Sequence, residues 1–260
     1  MMRALYIAKT GMDTSQFQLD VVSNNLANVN TVGFKKSRGI FEDLYYQTLR
    51  QPGGQLANGN ANPTGLQVGT GAAAVASSRI FTPGPPQQTG QPLDLQIQGD
   101  GFFRLLQPDG TTAYSRNGQF QRDANGNVVN PDGLPLNPNI NIPATAQQIT
   151  VSSAGVVQYT LAGSAAPQTA GTILLTTFIN PQGLQSIGNN LYLQTAASGD
   201  PQDGNPQTDD RGAIKSGFLE SSNVNVTEEL VNMITAQRSF EMNSRAVTTA
   251  DQMLQKLSNL

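Results

Sequence analysis

Few side chains in this chain are spaced for chemistry. Asp123-Ala124-Asn125-Gly126-Asn127 has the oxygen-rich start of a calcium loop. Its glycine falls at the wrong offset and the twelfth-position glutamate is missing, so a hairpin turn is the expectation. Asp94, Asp100 and Asp109 are carboxylates of the kind glycosidases pair across a scissile bond. No spacing joins two of them, and they read as solvated turn acids. Gly99-x-Gly101 has no following helix to cradle a phosphate. Asn225-Val226-Thr227 matches a glycosylation sequon, but a threonine near a helix start explains it as well.

Composition narrows the field further. None of the 260 residues is Cys or His. That removes disulfides, thiolate metal sites, Cys nucleophiles and the usual Ser-His-Asp triad, together with the commonest metal ligand and general base. We therefore expect no catalytic residue, no metal and no cofactor. A net charge of −3 without a basic run argues against nucleic acid. No run approaches the ~18 apolar residues of a membrane-spanning helix, so membrane insertion is not expected. The opening Met1-Met2-Arg3-Ala4-Leu5-Tyr6-Ile7-Ala8-Lys9 is too short between its charges for a secretory leader. Charged residues make up only 13%, while 26 Gln and 23 Asn supply the polar surface. Such a surface keeps its hydrogen-bonding capacity but loses repulsion between copies, so self-association is weakly opposed.

The elements that would position any site fall into three zones. Leu5, Ala8, Met12, Ser15, Leu19, Val22, Leu26 and Val29 follow strict 3-4 spacing, an almost wholly apolar stripe that predicts one long helix. Gly11 and Asn24-Asn25 weaken that helix, and Gly33 is a plausible terminator. Near the other end Asn225 with Glu228 fits a variant capping box. The stripe there runs Val226, Leu230, Met233, Phe240, Val247, Ala250, Leu254 and Leu257, with no Gly or Pro after Gly217. Between the helices, turn signals at Pro108-Asp109-Gly110, Asn117-Gly118, Asn125-Gly126 and Pro131-Asp132-Gly133 alternate with short apolar runs. Phe102–Leu106, Gln148–Val151, Thr172–Ile179 and Leu191–Gln194 read as strands, and Leu93, Leu95 and Ile97 alternate as on a half-buried one. Residues 51–72, Thr82-Pro83-Gly84-Pro85-Pro86 and the polar stretch from Ser198 to Arg211 read as connections. The fold class is thus α+β: long N- and C-terminal amphipathic helices paired in a coiled-coil-like core, with a mainly antiparallel β domain between them.

Apolar residues also lie off both stripes: Tyr6, Ile7, Phe17 and Val21 on one helix, Val231, Ile234 and Met253 on the other. One partner helix cannot cover faces that wide. Either the β domain or other copies of the chain must cover the rest.

Three stretches carry a resemblance. Asn24-Asn25-Leu26-Ala27-Asn28-Val29-Asn30-Thr31-Val32-Gly33-Phe34-Lys35 resembles the N-terminal signature of bacterial flagellar rod and hook proteins. Ser222–Val231, Gln237–Arg245 and Thr249–Leu254 are similar to that family's C-terminal segment. Between them, Gly99–Phe103, Tyr114–Phe120 and Asp123–Gly126 match in the same order. Phe41–Gly53, continuing to Gly65–Gly69, is similar to the stretch that marks distal rod members and is associated there with a straight, stiff tube. One proximal rod member has nearly the same length and architecture, so this narrower likeness rests on residues 41–69.

The resemblance implies a structural, non-enzymatic subunit of the distal rod. It would be exported unfolded through the flagellar type III channel without cleavage of a signal peptide. It would polymerise into a hollow straight helical tube that crosses the periplasm and transmits motor torque to the hook. The implied partners are itself, proximal rod and hook-side proteins along the axis, and the surrounding peptidoglycan-associated and outer-membrane rings. The implied assembly interface is Leu5, Met12, Leu19, Val22, Asn24, Asn25, Leu26, Asn28, Phe34, Leu230, Met233, Phe240, Val247, Leu254 and Leu257. The rod-stiffening segment would include Tyr46, Arg50, Pro52, Gly53 and Leu66. The expected organisation is a terminal-helix core of 1–40 and 218–260, connecting segments of 41–90 and 205–217, and an outer β domain of 91–204. Two rival functions are a proximal rod subunit and a β domain that chiefly grips the rings or peptidoglycan. A cell-wall enzyme using Asp94 or Asp100 is the reading the residues support least.

Overall fold

The computed structural model describes residues 2–52, 64–162 and 166–258. Contacts divide the chain into two compact units, one of Met1–Ala27, Ser37–Ser78 and Asn225–Leu260, the other of Asn28–Lys36 and Arg79–Val224.

The first unit is built on two helices, α1 (Met2–Ala27) and α2 (Val226–Ser258). Asn225 caps α2: its Oδ1 accepts the Thr227 amide at 3.0 Å, and Glu228 and Glu229 occupy the first turn, where the helix dipole favours acids. The helices run antiparallel. Gly11 faces Asn243, and fourteen residues further along α1 the Asn25 Nδ2 donates to Glu229 Oε2 at 3.3 Å. Apart from Val21 and Val22, the buried apolar residues of both helices are alanines: Ala8, Ala236 and Ala250. A Cβ on Gly11 would stand 2.6 Å from Asn243 Nδ2, so the helices meet closely there through small side chains.

Strands β1 (Ser37–Asp43), β2 (Tyr46–Arg50), β3 (Leu66–Gly69) and β4 (Ala72–Arg79) form a two-stranded ribbon, with β1 on β4 and β2 antiparallel to β3. Its base rests on α1, where Phe41 meets Phe17 edge-on at 6.1 Å. Gly71, at φ +127°, approaches so closely that a side chain would collide with Thr10 Oγ1. The expectation that 51–72 is only a connection is therefore corrected at Leu66–Gly69. Glycine, glutamine and alanine have low strand propensity, and cross-strand pairing supplies the order instead.

The second unit is mainly β, with a short 3-10 helix at Pro181–Gly183. Its strands are β5 (Pro86–Gln88), β6 (Leu95–Gln98), β7 (Phe102–Leu106), β8 (Thr112–Ser115), β9 (Gln121–Arg122), β10 (Val128–Val129), β11 (Ala146–Val151), β12 (Val156–Leu161), β13 (Gln168–Thr172), β14 (Leu175–Thr177), β15 (Gln185–Gly188), β16 (Leu191–Leu193), β17 (Gln202–Gly204), β18 (Ala213–Ser216) and β19 (Phe218–Glu220). A six-stranded sheet has the order β15-β16-β8-β7-β14-β17; β11-β12-β13 form a second sheet, and β18 pairs with β6 and β19 with β5. The pleat sends Phe103, Leu105, Ala113, Leu175 and Leu191 into the main core with Leu95, Ile97 and Ile214. It sends Phe102, Tyr114 and Tyr192 to the opposite face, where Phe178 and Leu184 complete a smaller aromatic cluster.

The hairpin expected at Asp123–Asn127 is present: Asp123 Oδ1 accepts the Asn125 and Asn127 amides, and β9 pairs with β10 across it. Three expectations change. Gln96, expected to face solvent, is 4% exposed because β6 is covered on both faces. Thr172–Ile179 is broken between β13 and β14. The polar stretch 198–211 contains β17, which hydrogen-bonds to β14 at the sheet edge.

Candidate functional site

The first unit leaves large apolar side chains uncovered. Along α2, Leu230 is 44% exposed, Val231 57%, Ile234 50%, Met242 70% and Met253 51%. Met233, Phe240, Val247 and Leu254 are half-buried, and the side chain of Leu257 lies outside the described residues. On α1, Tyr6 and Ile7 are exposed, while Leu5, Met12, Leu19 and Leu26 are half-buried, as is Asn28 just beyond its end. Among the described residues no large apolar side chain of α2 is fully buried, because the alanine contacts with α1 consume little of its surface. A groove of ≈ 250 Å³ between Ser15, Gln18, Ala236, Ser239 and Phe41 interrupts this surface.

Not every expected interface residue faces outward. Val22 and Asn25 are each 1% exposed, whereas Asn24 is exposed. Asn25 is occupied within its own chain, its Oδ1 accepting the Ser37 amide at 2.9 Å and its Nδ2 donating to the Ser37 carbonyl at 2.8 Å. The amide thereby fixes the start of β1 against the end of α1. Phe34 is buried as well, under the Arg79 guanidinium with Cζ 6.0 Å from the ring centroid.

The second unit holds a buried ionic cluster that the spacing of residues did not reveal. Lys35, Arg116 and Glu220 have side chains 0–1% exposed. Lys35 Nζ donates to Glu220 Oε1 at 2.6 Å and to the Thr82 carbonyl at 2.9 Å. The same Oε1 accepts the Gly84 amide at 2.8 Å, and the Glu220 carbonyl accepts the Gly33 amide at 2.7 Å. Arg116 Nη1 stands 3.6 Å from Glu220 Oε2, with Cζ 5.2 Å above the Phe102 ring. Burial pushes the Lys35 ammonium below its ordinary range against the opposing pull of Glu220, and burial lowers Arg116 similarly. Gly33, at φ +70°, lets the chain turn into this cluster; a Cβ there would stand 2.7 Å from the Arg116 backbone. Lys35 and Arg116 lie inside the family-like stretches, but charge alone gave no sign of burial. Glu220, seven residues before Thr227, had no signal at all.

On the ribbon, Tyr46, Arg50, Pro52 and Leu66 are exposed, and Gly53 lies outside the described residues. Among the described residues no group of three or more acidic side chains is placed to hold a metal ion, and no helix is long and apolar enough to cross a membrane.

Residues 5–35 match the flagella basal body rod protein family, 96–159 the flagellar hook protein FlgE/F/G D1 domain, and 215–260 the flagellar basal body rod FlgEFG protein C-terminal family. The chain is 47% identical to flagellar basal-body rod protein FlgG of Buchnera aphidicola subsp. Schizaphis graminum over the whole of both chains. It is 47% identical to FlgG of Caulobacter vibrioides and 45% to FlgG of Bacillus subtilis, covering all of this chain and 99% of each relative. The chain belongs to the FlgG family of flagellar basal-body rod proteins. In the family's terms, the two terminal matches fall on α1 and α2 and the D1 match on β6 through β12. Lys35 closes the N-terminal match, Arg116 lies in the D1 match and Glu220 in the C-terminal one, so the buried cluster draws on all three.

Proposed function

We propose that this chain is a structural subunit of the flagellar distal rod and not an enzyme. It polymerises through α1 and α2 into a hollow straight tube in the basal body, crosses the periplasm and passes motor torque to the hook. The observation that carries this reading is end-to-end identity of 45–47% with FlgG rod proteins. The apolar sides of α2 support it. Side chains such as Val231 and Ile234 have no covering partner within the helix pair, and a helical polymer supplies one. Coiled-coil-like packing would then form between helix pairs of neighbouring subunits. Leu5, Met12, Leu19 and Leu26 of α1 and Leu230, Met233, Phe240, Val247, Leu254 and Leu257 of α2 would share it. The ribbon at residues 41–69 bridges neighbouring copies and resists the sliding that bending requires. Proximal rod and hook-side proteins lie at the two ends of the tube, the rings surround it, and the chain reaches it unfolded through the export channel.

Electron microscopy of the purified protein at high concentration tests the central point. Straight hollow tubes are expected; a protein that stays monomeric at every concentration overturns the reading.

A further inference from the structure

The second unit contains a pocket that no part of the proposed tube core uses. Its volume is ≈ 350 Å³. One wall is apolar, made by Phe81, Phe102, Phe178 and by Ile179, which is 80% exposed. Asp100 and Asp210 bring exposed carboxylates to the pocket, and Asp209 beside them is held by Arg211 at 3.0 Å. Arg116 also lines it. That side chain is almost wholly buried, with Nη1 3.6 Å from Glu220 Oε2, so it offers the pocket no free surface. The pocket therefore fits a ligand that offers two things together, an aliphatic group for the exposed aromatic and aliphatic carbon and a cation for the carboxylates. A polypeptide segment with an aliphatic residue next to a basic one has both.

The chain presents such a segment itself. In the ribbon, Thr48 pairs with Gln67 and Arg50 with Leu66, so Leu49 is the extra residue of a bulge. Leu49 and Arg50 thus stand together opposite Leu66, and all three are exposed. Leu49 is 53% exposed and Leu66 52%. We infer that the pocket between Phe102, Arg116 and Asp210 receives Leu49-Arg50 from the ribbon of a second copy of this chain. Charge complementarity selects this occupant: a guanidinium beside exposed leucines meets carboxylates beside exposed aromatic and aliphatic carbon. The inference rests on the reading that the ribbon bridges copies and names the surface it lands on.

Because the chain has no cysteine, an introduced thiol is the sole one in its molecule. The full-length variants Leu49→Cys and Ile179→Cys, one of them tagged so that mixed products differ in size, are mixed, concentrated and gently oxidised. A disulfide between different variants is expected as the main covalent product, since the bond forms only when the Cα atoms approach within about 7 Å. Adding Arg50→Glu to the first chain should lower its yield about fivefold, and Asp210→Arg in the second should restore it. Sedimentation is followed in parallel. If tubes sediment but no mixed disulfide forms, or its yield ignores Arg50→Glu, the pocket is not the landing site. If nothing sediments, self-assembly itself fails and the inference falls with it. A Leu49→Cys/Ile179→Cys double variant that closes only within one chain also overturns it.

Discussion

At the scale of single residues, Lys35, Arg116 and Glu220 are charges held together out of water. Two buried cations share one anion, so the two ways of breaking the cluster differ. Glu220→Gln leaves two cations with no anion and should cost about 3–5 kcal/mol, the range for breaking a buried pair. Lys35→Met keeps the Arg116–Glu220 pair and should cost less; thermal melts of both variants give the order, and a reversed order refutes this account of the cluster. The acidic turn at Asp109 makes a second, independent case. Thr111 donates to Asp109 Oδ1 through its hydroxyl at 2.6 Å and its amide at 2.9 Å, and these bonds, the hydroxyl first, hold the carboxyl below its ordinary 3.8. A depressed carboxylate adds stability above its ordinary pKa and loses it as the pH falls through the lower folded value. Carboxyl-carbon NMR titration should therefore place Asp109 low in the native protein and move it upward in Thr111→Ala. Neither role was visible in the sequence beforehand. Asp109 was readable as a turn acid from its Pro-Asp-Gly setting, but a charged residue at Lys35 or Glu220 looks like any surface residue until the strands that bury it are known.

Among the elements, α2 was fully legible: a capping asparagine, two acids in the first turn and a long stretch without Gly or Pro announce a helix whatever its surroundings. The hairpins at Asp109 and Asn125 were equally plain, since turn chemistry is local. The ribbon was not legible. A strand such as Ala72–Arg79, with four alanines and two serines, has no periodicity to read and owes its order to the strand beside it. Of the residues expected at the assembly interface, Leu230 is exposed and Met233 half-buried, while Val22, taken from the stripe, and Asn25, taken from the family signature, lie inside the chain. A prediction belongs to this scale. Tyr45 and Thr70 are joined by a hydrogen bond from Thr70 Oγ1 to the Tyr45 carbonyl at 2.7 Å. Replacing residues 46–69 by Asn-Gly should thus close the shortened ribbon as a tight hairpin without unfolding α1 or α2. Tubes should still form, but micrographs should show them curved; tubes as straight as the parent's would remove the ribbon's stiffening role.

For the whole molecule, the helix pair should differ between dilute and assembled states. Val231→Asn with Ile234→Ser alters exposed positions and should change the melting of the dilute protein by no more than about 0.5 kcal/mol, yet abolish sedimenting tubes. In the parent, amide exchange over residues 2–30 and 225–258 should be fast at low concentration and slow after assembly. Strong protection in the dilute chain would instead mark a self-sufficient hairpin. The ionic cluster has a consequence at this scale too. Lys35 and Glu220 are 185 positions apart, with Thr82, Gly84 and Arg116 contributed from between. A polypeptide that emerges end-first, from a ribosome or from a narrow conduit, holds one half of this clasp long before the other arrives. The ionic cluster therefore closes only after both Lys35 and Glu220 have emerged, whichever end leads.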